Sequence, residues 1–365
     1  REQGGEELFD FVENARLRSI RRRENNELPG EELAGLVGNL EPDLALQVIR
    51  SFSTYFQMVN TAEKVHRIRR RREYLREVGH YQPGGLEDTL VKLKASGMGI
   101  EALQKLMNSL LIEPVFTAHP TEPTRRTMLR KEQNIVRHLI ELLNPTMTAH
   151  EKHIALENIR LLITTGWQTD EHPSEQMTVA DELEHVLFFI TDVLYRAMPP
   201  YYEDIEIAIA RIYGEEARDV NVPVIARFAS WVGGDMDGNP NVNAKTIRAT
   251  LARQRSLILD LYFKECASLS AKLSQATSRI AISEAVLARI EEYRGVFQNA
   301  YHAVPARHRD MPYRVFLRLV QQRLQSTYDD DIYPYEKLSQ FRSDIQLIAD
   351  SLRANKGELA GWFAV

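Results

Sequence analysis

Apolar positions along this chain recur mostly at three- and four-residue steps, the spacing of one face of an α-helix. Asp43 opens one such stretch, and its stripe of Leu44, Val48, Phe52, Tyr55, Val59 and Ala62 predicts a long helix. The polar continuation from Arg67 to Arg72 contains one isoleucine and is interleaved with Glu63, Glu73 and Glu77. With those carboxylates and no aromatic stacking platform, the run reads as a solvated, ion-paired helix face and not as a nucleic-acid patch. The same periodicity predicts helices at 127–143, 245–263, 283–301, 312–326 and 336–354, with Pro305, Pro312 and Pro334 marking breaks. Thr178-Val179-Ala180-Asp181 has the form of a capping box and opens a helix expected to end before Pro199-Pro200.

Two runs depart from this pattern. Val115 to Ala118, after Pro114, predicts a buried strand, and Val222 to Trp231 is again apolar and strand-like. Roughly 110 residues lie between them, far more than an ordinary βα unit needs, so helical insertions must intervene. The expected fold class is therefore predominantly α-helical with a few strands.

The ends of these two runs hold the candidate chemistry. His119-Pro120 stops the first run, because proline cannot donate to a ladder and restrains the residue before it. Pro123 suits the first turn of the following helix, with Thr121 or Glu122 as its cap. His119 thus sits on a strand-to-helix turn, where α/β enzymes place reactive groups. Arg125 and Arg126 fall in the first helical turn, where cations are unfavourable unless an anion is to be bound. The plainer reading is a hydrogen-bonded structural histidine beside two solvated arginines.

The second run leads into Gly233-Gly234-Asp235-Met236-Asp237-Gly238-Asn239-Pro240, whose glycines force a tight turn, and Asn243 can cap the helix from Ala244. Asp235, Asp237 and Asn239 imitate the start of a calcium loop, but the glycine comes too early and the twelfth position is Thr246 instead of glutamate. No nucleotide-binding glycine motif is present either. A structural turn whose aspartates cap backbone amides accounts for this segment equally well.

Composition narrows the class. The chain has 365 residues, is 44% hydrophobic and 27% charged, and is long enough to bury a substantial core. A net charge of −5 gives no general attraction to nucleic acid. One cysteine, Cys266, excludes an internal disulfide framework and leaves no basis for a thiolate zinc site. No apolar stretch reaches membrane-spanning length and Arg1 to Asp10 lacks a signal-peptide core, which together fit a cytoplasmic protein. A start at Arg1 and an apolar end, Trp362-Phe363-Ala364-Val365, read as the limits of a fragment.

Taken together, Phe56-Gln57-Met58-Val59-Asn60-Thr61-Ala62-Glu63, the arginine-rich stretch after it, Phe116 to Glu122, Trp167-Gln168-Thr169-Asp170-Glu171 and Trp231 to Pro240 resemble phosphoenolpyruvate carboxylases in order and spacing. The resemblance runs from about residue 30 to the C-terminus. It implies the N-terminal part of a helix-rich (β/α)8 TIM-barrel-like fold, with residues 1–111 as a helical region and 112–365 as the first part of the barrel region. It implies carboxylation of phosphoenolpyruvate by bicarbonate to oxaloacetate and phosphate, with Mg²⁺ or Mn²⁺, feeding the tricarboxylic acid cycle. His119 matches the catalytic histidine that takes the carboxyphosphate proton. Trp231, with Gly233 and Gly234, matches the substrate pocket, and Arg125 and Arg126 match a basic pair that binds an activating sugar phosphate in plant members. Family chains are more than twice as long, and their metal-binding carboxylates and phosphate loops lie in the half not represented here, so no metal ligand is expected in this chain. A homotetramer under allosteric control, commonly by aspartate and acetyl-CoA, is also implied, without nucleic-acid or membrane partners.

Two positions depart from the family pattern. Gln168 stands where plant members carry an arginine, and Met236 where the glycine-rich loop usually has one. His150, His153 and His172 have no carboxylate cluster at ligand spacing around them. The alternative to an enzyme is a non-catalytic helical scaffold that keeps an anion-binding turn at Arg125-Arg126.

Overall fold

A computed structural model of the chain describes residues 2–25, 34–35, 37–77, 79–117, 124–170, 177–217, 220–237 and 240–355. They divide into two compact units, Arg1–Val232 and Gly233–Val365.

In the first unit, α1 (Gly5–Asn25) packs on α2 (Pro42–Arg76), where the sequence places its long helix. Pro42 suits the first turn, because that position has no helical N–H bond to lose. The predicted stripe holds only in its first part. Val48 is buried, whereas Tyr55 and Val59 are exposed and the later buried positions are Thr61 and Val65. A helix of this length meets different neighbours along its axis, so its buried face changes from one end to the other. The arginine run is ion-paired as expected: Arg67 bonds Glu63, Arg70 bonds Glu73, and Arg71 reaches Asp204 at 2.9 Å.

Two short helices follow, α3 (Leu86–Ala95) and α4 (Ile100–Ser109), each preceded by a glycine at its N-cap. Strand β1 (Val115–Phe116) leads to α5 (Arg126–Glu141), which packs along α6 (Ala149–Trp167). Thr178 caps α7 (Val179–Phe188) through the anticipated box, its hydroxyl accepting from the Asp181 N–H while Asp181 accepts from the Thr178 N–H.

The end expected before Pro199-Pro200 does not occur. A π-helical segment, Phe189–Leu194, carries α7 straight into α8 (Tyr195–Tyr213), which contains both prolines. A π turn already withdraws carbonyls from the i→i−4 ladder, so the missing proline N–H costs least just after it. Leu90 of α3, Leu103 and Met107 of α4, and Ile205, Ala208 and Ile209 of α8 form the core here.

Strand β2 (Ala229–Ser230) pairs parallel with β1, Val115 opposite Ala229 and Phe116 opposite Ser230, and an isolated bridge joins Ile112 to Ala226. Both predicted strands exist, but each is shorter than its apolar run. The expected burial of the first is corrected: Val115 is 40% exposed. Side chains project from the two faces of a sheet, and among the described residues too little packs on this two-stranded ladder to cover Val115.

The second unit is a helical bundle of α9 (Ala244–Lys272), α10 (Glu284–Val296), α11 (Gln298–His302), α12 (Pro312–Asp329) and α13 (Leu338–Ala354). The helix predicted at 283–301 is divided at Phe297, whose φ −107 and ψ 51 interrupt it. α9 outruns its prediction because Cys266 and Leu273 extend the buried stripe. α12 lies at the centre, with Tyr313, Phe316, Leu317, Leu319 and Val320 wholly buried.

Candidate functional site

The parallel pairing brings the C-terminal ends of the two apolar runs together. The Ile112 N–H donates to the Ile225 carbonyl at 2.7 Å, Arg227 N–H returns to Ile112 at 2.9 Å, and Ala229 N–H reaches Pro114 at 3.2 Å. The last rung is Trp231 N–H to the Phe116 carbonyl at 2.9 Å. The backbone of Trp231 is thereby fixed on Phe116, which precedes His119 by three residues in the sequence. His119 itself, with Thr121, Glu122 and Pro123, lies outside the described residues. The Trp231 indole is 58% exposed, although Val232 beside it is buried. A large apolar ring left open at a strand's C-terminal end is suited to form one wall of a pocket.

The helix after the histidine turn begins later than expected. Arg125 takes the N-cap position with no side-chain cap, and Arg126 is the first helical residue; Pro123, expected in the first turn, lies outside the described residues. No acidic residue sits in that turn. The Arg126 guanidinium donates to the Glu184 carbonyl of α7 at 3.2 Å and lies 5.2 Å over the Phe188 ring. Burial, and next the Arg126 charge, lower the pKa of His185 on the same helix. These α7 partners carry no signal in the sequence, since the Arg126–Glu184 bond joins residues 58 positions apart.

The glycine-rich turn belongs to the second unit. Gly233 is buried with φ +76, the left-handed region that glycine alone enters at little cost. Gly234 and Met236 are exposed. The Asp235 carboxylate accepts from the Asp237 N–H at 3.1 Å, so this aspartate caps a backbone amide as its structural reading requires. Gly238 and Asn239 lie outside the described residues. Asn243 caps α9, its side-chain oxygen accepting from the Lys245 N–H at 2.9 Å and the Thr246 N–H at 3.3 Å.

Gln168, one of the two departures, ends α6 and donates to Gln3 at 2.8 Å, while Asp170 accepts from Arg50 at 3.1 Å. Trp167 and Thr124 line a cleft of about 400 Å³ between α2, α5 and α6, with Met58 and Met128 on its apolar side and the Lys64–Glu132 pair among its lining residues. The sequence motifs at Gln57–Glu63 and Trp167 border this cleft, but their separation along the chain hides it. His150 and His153 are exposed on α6, and His172 is outside the described residues. Among the described residues no group of three or more His, Cys, Asp and Glu comes together to hold a cation.

A family model described as phosphoenolpyruvate carboxylase matches residues 1–361. A phosphoenolpyruvate carboxylase of Xanthomonas euvesicatoria pv. vesicatoria (strain 85-10) is 46% identical over 365 residues, covering 100% of this chain and 40% of the relative. One from Ralstonia nicotianae (strain ATCC BAA-1114 / GMI1000) is 34% identical over 98% of the chain and 37% of its own length. One from Burkholderia mallei (strain SAVP1) is 32% identical over the same shares. The chain thus spans about 40% of the length of the curated relatives that it matches at 46% identity.

Proposed function

The chain belongs to the phosphoenolpyruvate carboxylase family, and from that premise we propose that the complete protein carboxylates phosphoenolpyruvate with bicarbonate. The observation that supports this reading is the last rung of the ladder, where the Trp231 N–H donates to the Phe116 carbonyl and so pairs the two runs that lead to the candidate residues in the sequence. In this reading residues 1–111 form a helical region and 112–365 begin a (β/α)8 barrel region, whose strand ends gather reactive groups. The product, oxaloacetate, feeds the tricarboxylic acid cycle, and the complete protein is a cytoplasmic, allosterically controlled homotetramer.

A bicarbonate oxygen attacks the phosphoryl group, the bond from phosphorus to the enol oxygen breaks, and carboxyphosphate and the enolate of pyruvate result. His119 accepts the carboxyphosphate proton. Carbon dioxide then separates from inorganic phosphate, and the enolate carbon attacks it. An imidazole titrates near neutrality, so it can accept this proton at working pH. Trp231, with Gly233 and Gly234, forms the water-excluding side of the pocket that keeps the enolate from being protonated. Arg125 and Arg126 receive an anionic activator. Mg²⁺ or Mn²⁺, held by residues outside this chain, would supply charge neutralisation.

His119→Asn in the complete protein tests the reading. Asparagine cannot take up a proton near neutral pH, and loss of a general base costs about 10²–10⁴-fold in rate. Oxaloacetate should nearly vanish while bicarbonate-dependent phosphate release continues with pyruvate as product. An unchanged ratio of oxaloacetate to pyruvate would show that His119 is not this base. A wild-type protein that forms no oxaloacetate would leave the non-catalytic scaffold as the answer.

A further inference from the structure

Thr250 lies on α9 with only 6% of its surface exposed, and its side chain rests directly on Gly233. A Cβ placed on Gly233 would stand 2.2 Å from Thr250 Oγ1 and 3.1 Å from both its Cβ and its Cγ2. A side chain there would force the threonine, the helix or the turn to shift. Threonine is β-branched and splits between two χ1 rotamers in a helix, but rotation does not move its Cβ, which stays 3.1 Å from the added atom. The helix is itself anchored by the Asn243 cap, two turns upstream of Thr250. Gly233 is thus constrained twice, by its left-handed φ of +76 and by the threonine packed on it.

We infer that Thr250 is a positioning residue, holding the Gly233–Gly234 turn in the conformation that meets phosphoenolpyruvate. The inference rests on the proposed reading of this turn as part of the substrate pocket. Binding turns lose affinity when they must be ordered on each encounter, so a fixed wall under the turn improves substrate binding without touching substrate. The threonine is recognisable only in three dimensions, because nothing in the α9 sequence separates it from any other buried helical residue.

The test is a double-mutant cycle in the complete protein, with steady-state kinetics and thermal melts on Thr250→Ala, Thr250→Val, Gly233→Ala and Gly233→Ala/Thr250→Ala. Thr250→Ala should raise KM for phosphoenolpyruvate about tenfold with a smaller change in kcat, the pattern of lost binding interactions. Thr250→Val keeps both branches of the wall and should retain the wild-type KM. Gly233→Ala should cost about 10²-fold in kcat/KM. The double variant should recover part of that loss, because the clashing Oγ1 and Cγ2 are gone. A normal KM in Thr250→Ala, or additive losses in the double variant, would overturn the inference. A wild-type protein without carboxylase activity would overturn the functional reading instead. Coupling of the two positions in the melting temperature would then still support the contact, and its absence would remove that too.

Discussion

A buried charge is costly unless it is paired and hydrogen-bonded, and Asp344 on α13 shows how completely one residue can be provided for. It has no exposed surface, and its carboxylate accepts from the hydroxyls of Tyr293 and Tyr335 and from Arg289 at 2.5 Å. Arg323 stands 3.9 Å away, with its guanidinium over the rings of Tyr333 and Tyr335 at 4.3 and 4.1 Å. Burial pushes the Tyr293 hydroxyl up to about 12, so it stays a donor at any physiological pH. Asp344→Asn would leave the buried Arg323 without its anion and should lower unfolding free energy by about 3–5 kcal/mol, read by chemical denaturation. Tyr335→Phe, which removes one hydrogen bond and no charge, should cost only about 1 kcal/mol. Equal losses in the two variants would refute the charge-pairing account. None of this was legible beforehand: Arg289 and Asp344 are 55 positions apart, and a lone aspartate in a helix reads as surface. By contrast His119, Trp231 and the glycine turn could be picked out, because each interrupts a local pattern with residues that need a special reason to be there.

Elements were easier to read than their ends. Helix positions followed from apolar spacing, and the two strand runs were found because they alone lacked it. Their lengths were overstated because an apolar run does not say how much of it is paired, whereas a ladder needs a partner strand, and only a short stretch is paired among the described residues. The continuation through Pro199 and Pro200 was hidden for a similar reason, since a π segment depends on hydrogen-bond offset and has no compositional mark. The caps, in contrast, are local chemistry and were readable at Thr178 and Asn243. Thr178→Ala therefore has a defined local consequence. Loss of an N-cap costs about 1 kcal/mol, so hydrogen exchange of amides at 179–188 should quicken about fivefold. Thr178→Ser, which keeps the hydroxyl, should leave that rate near the wild type. Uniform quickening across the whole protein would show that the cap stabilises more than its own helix.

At the scale of the molecule, family membership was legible while the barrel was not, because a barrel is a relation among strands and only two pair among the described residues. Around that pair Leu111, Ile112, Val115, Val224 and Trp231 are exposed, several of them by more than half. Such a surface on a soluble protein marks an interaction face or invites aggregation. The chain also covers only about 40% of the length of its carboxylase relatives, and no cation-binding cluster forms among the described residues. Residues 1–365 produced alone should therefore make no oxaloacetate from phosphoenolpyruvate, bicarbonate and Mg²⁺, even at high enzyme concentration. They should also bind a hydrophobic dye and run as high-mass species in size exclusion, whereas the complete protein should do neither. Turnover by residues 1–365 above a no-enzyme background would mean that the catalytic groups lie within this chain after all. Monomeric, dye-silent behaviour would mean that the apolar surface around β1 and β2 is covered by the chain's own residues.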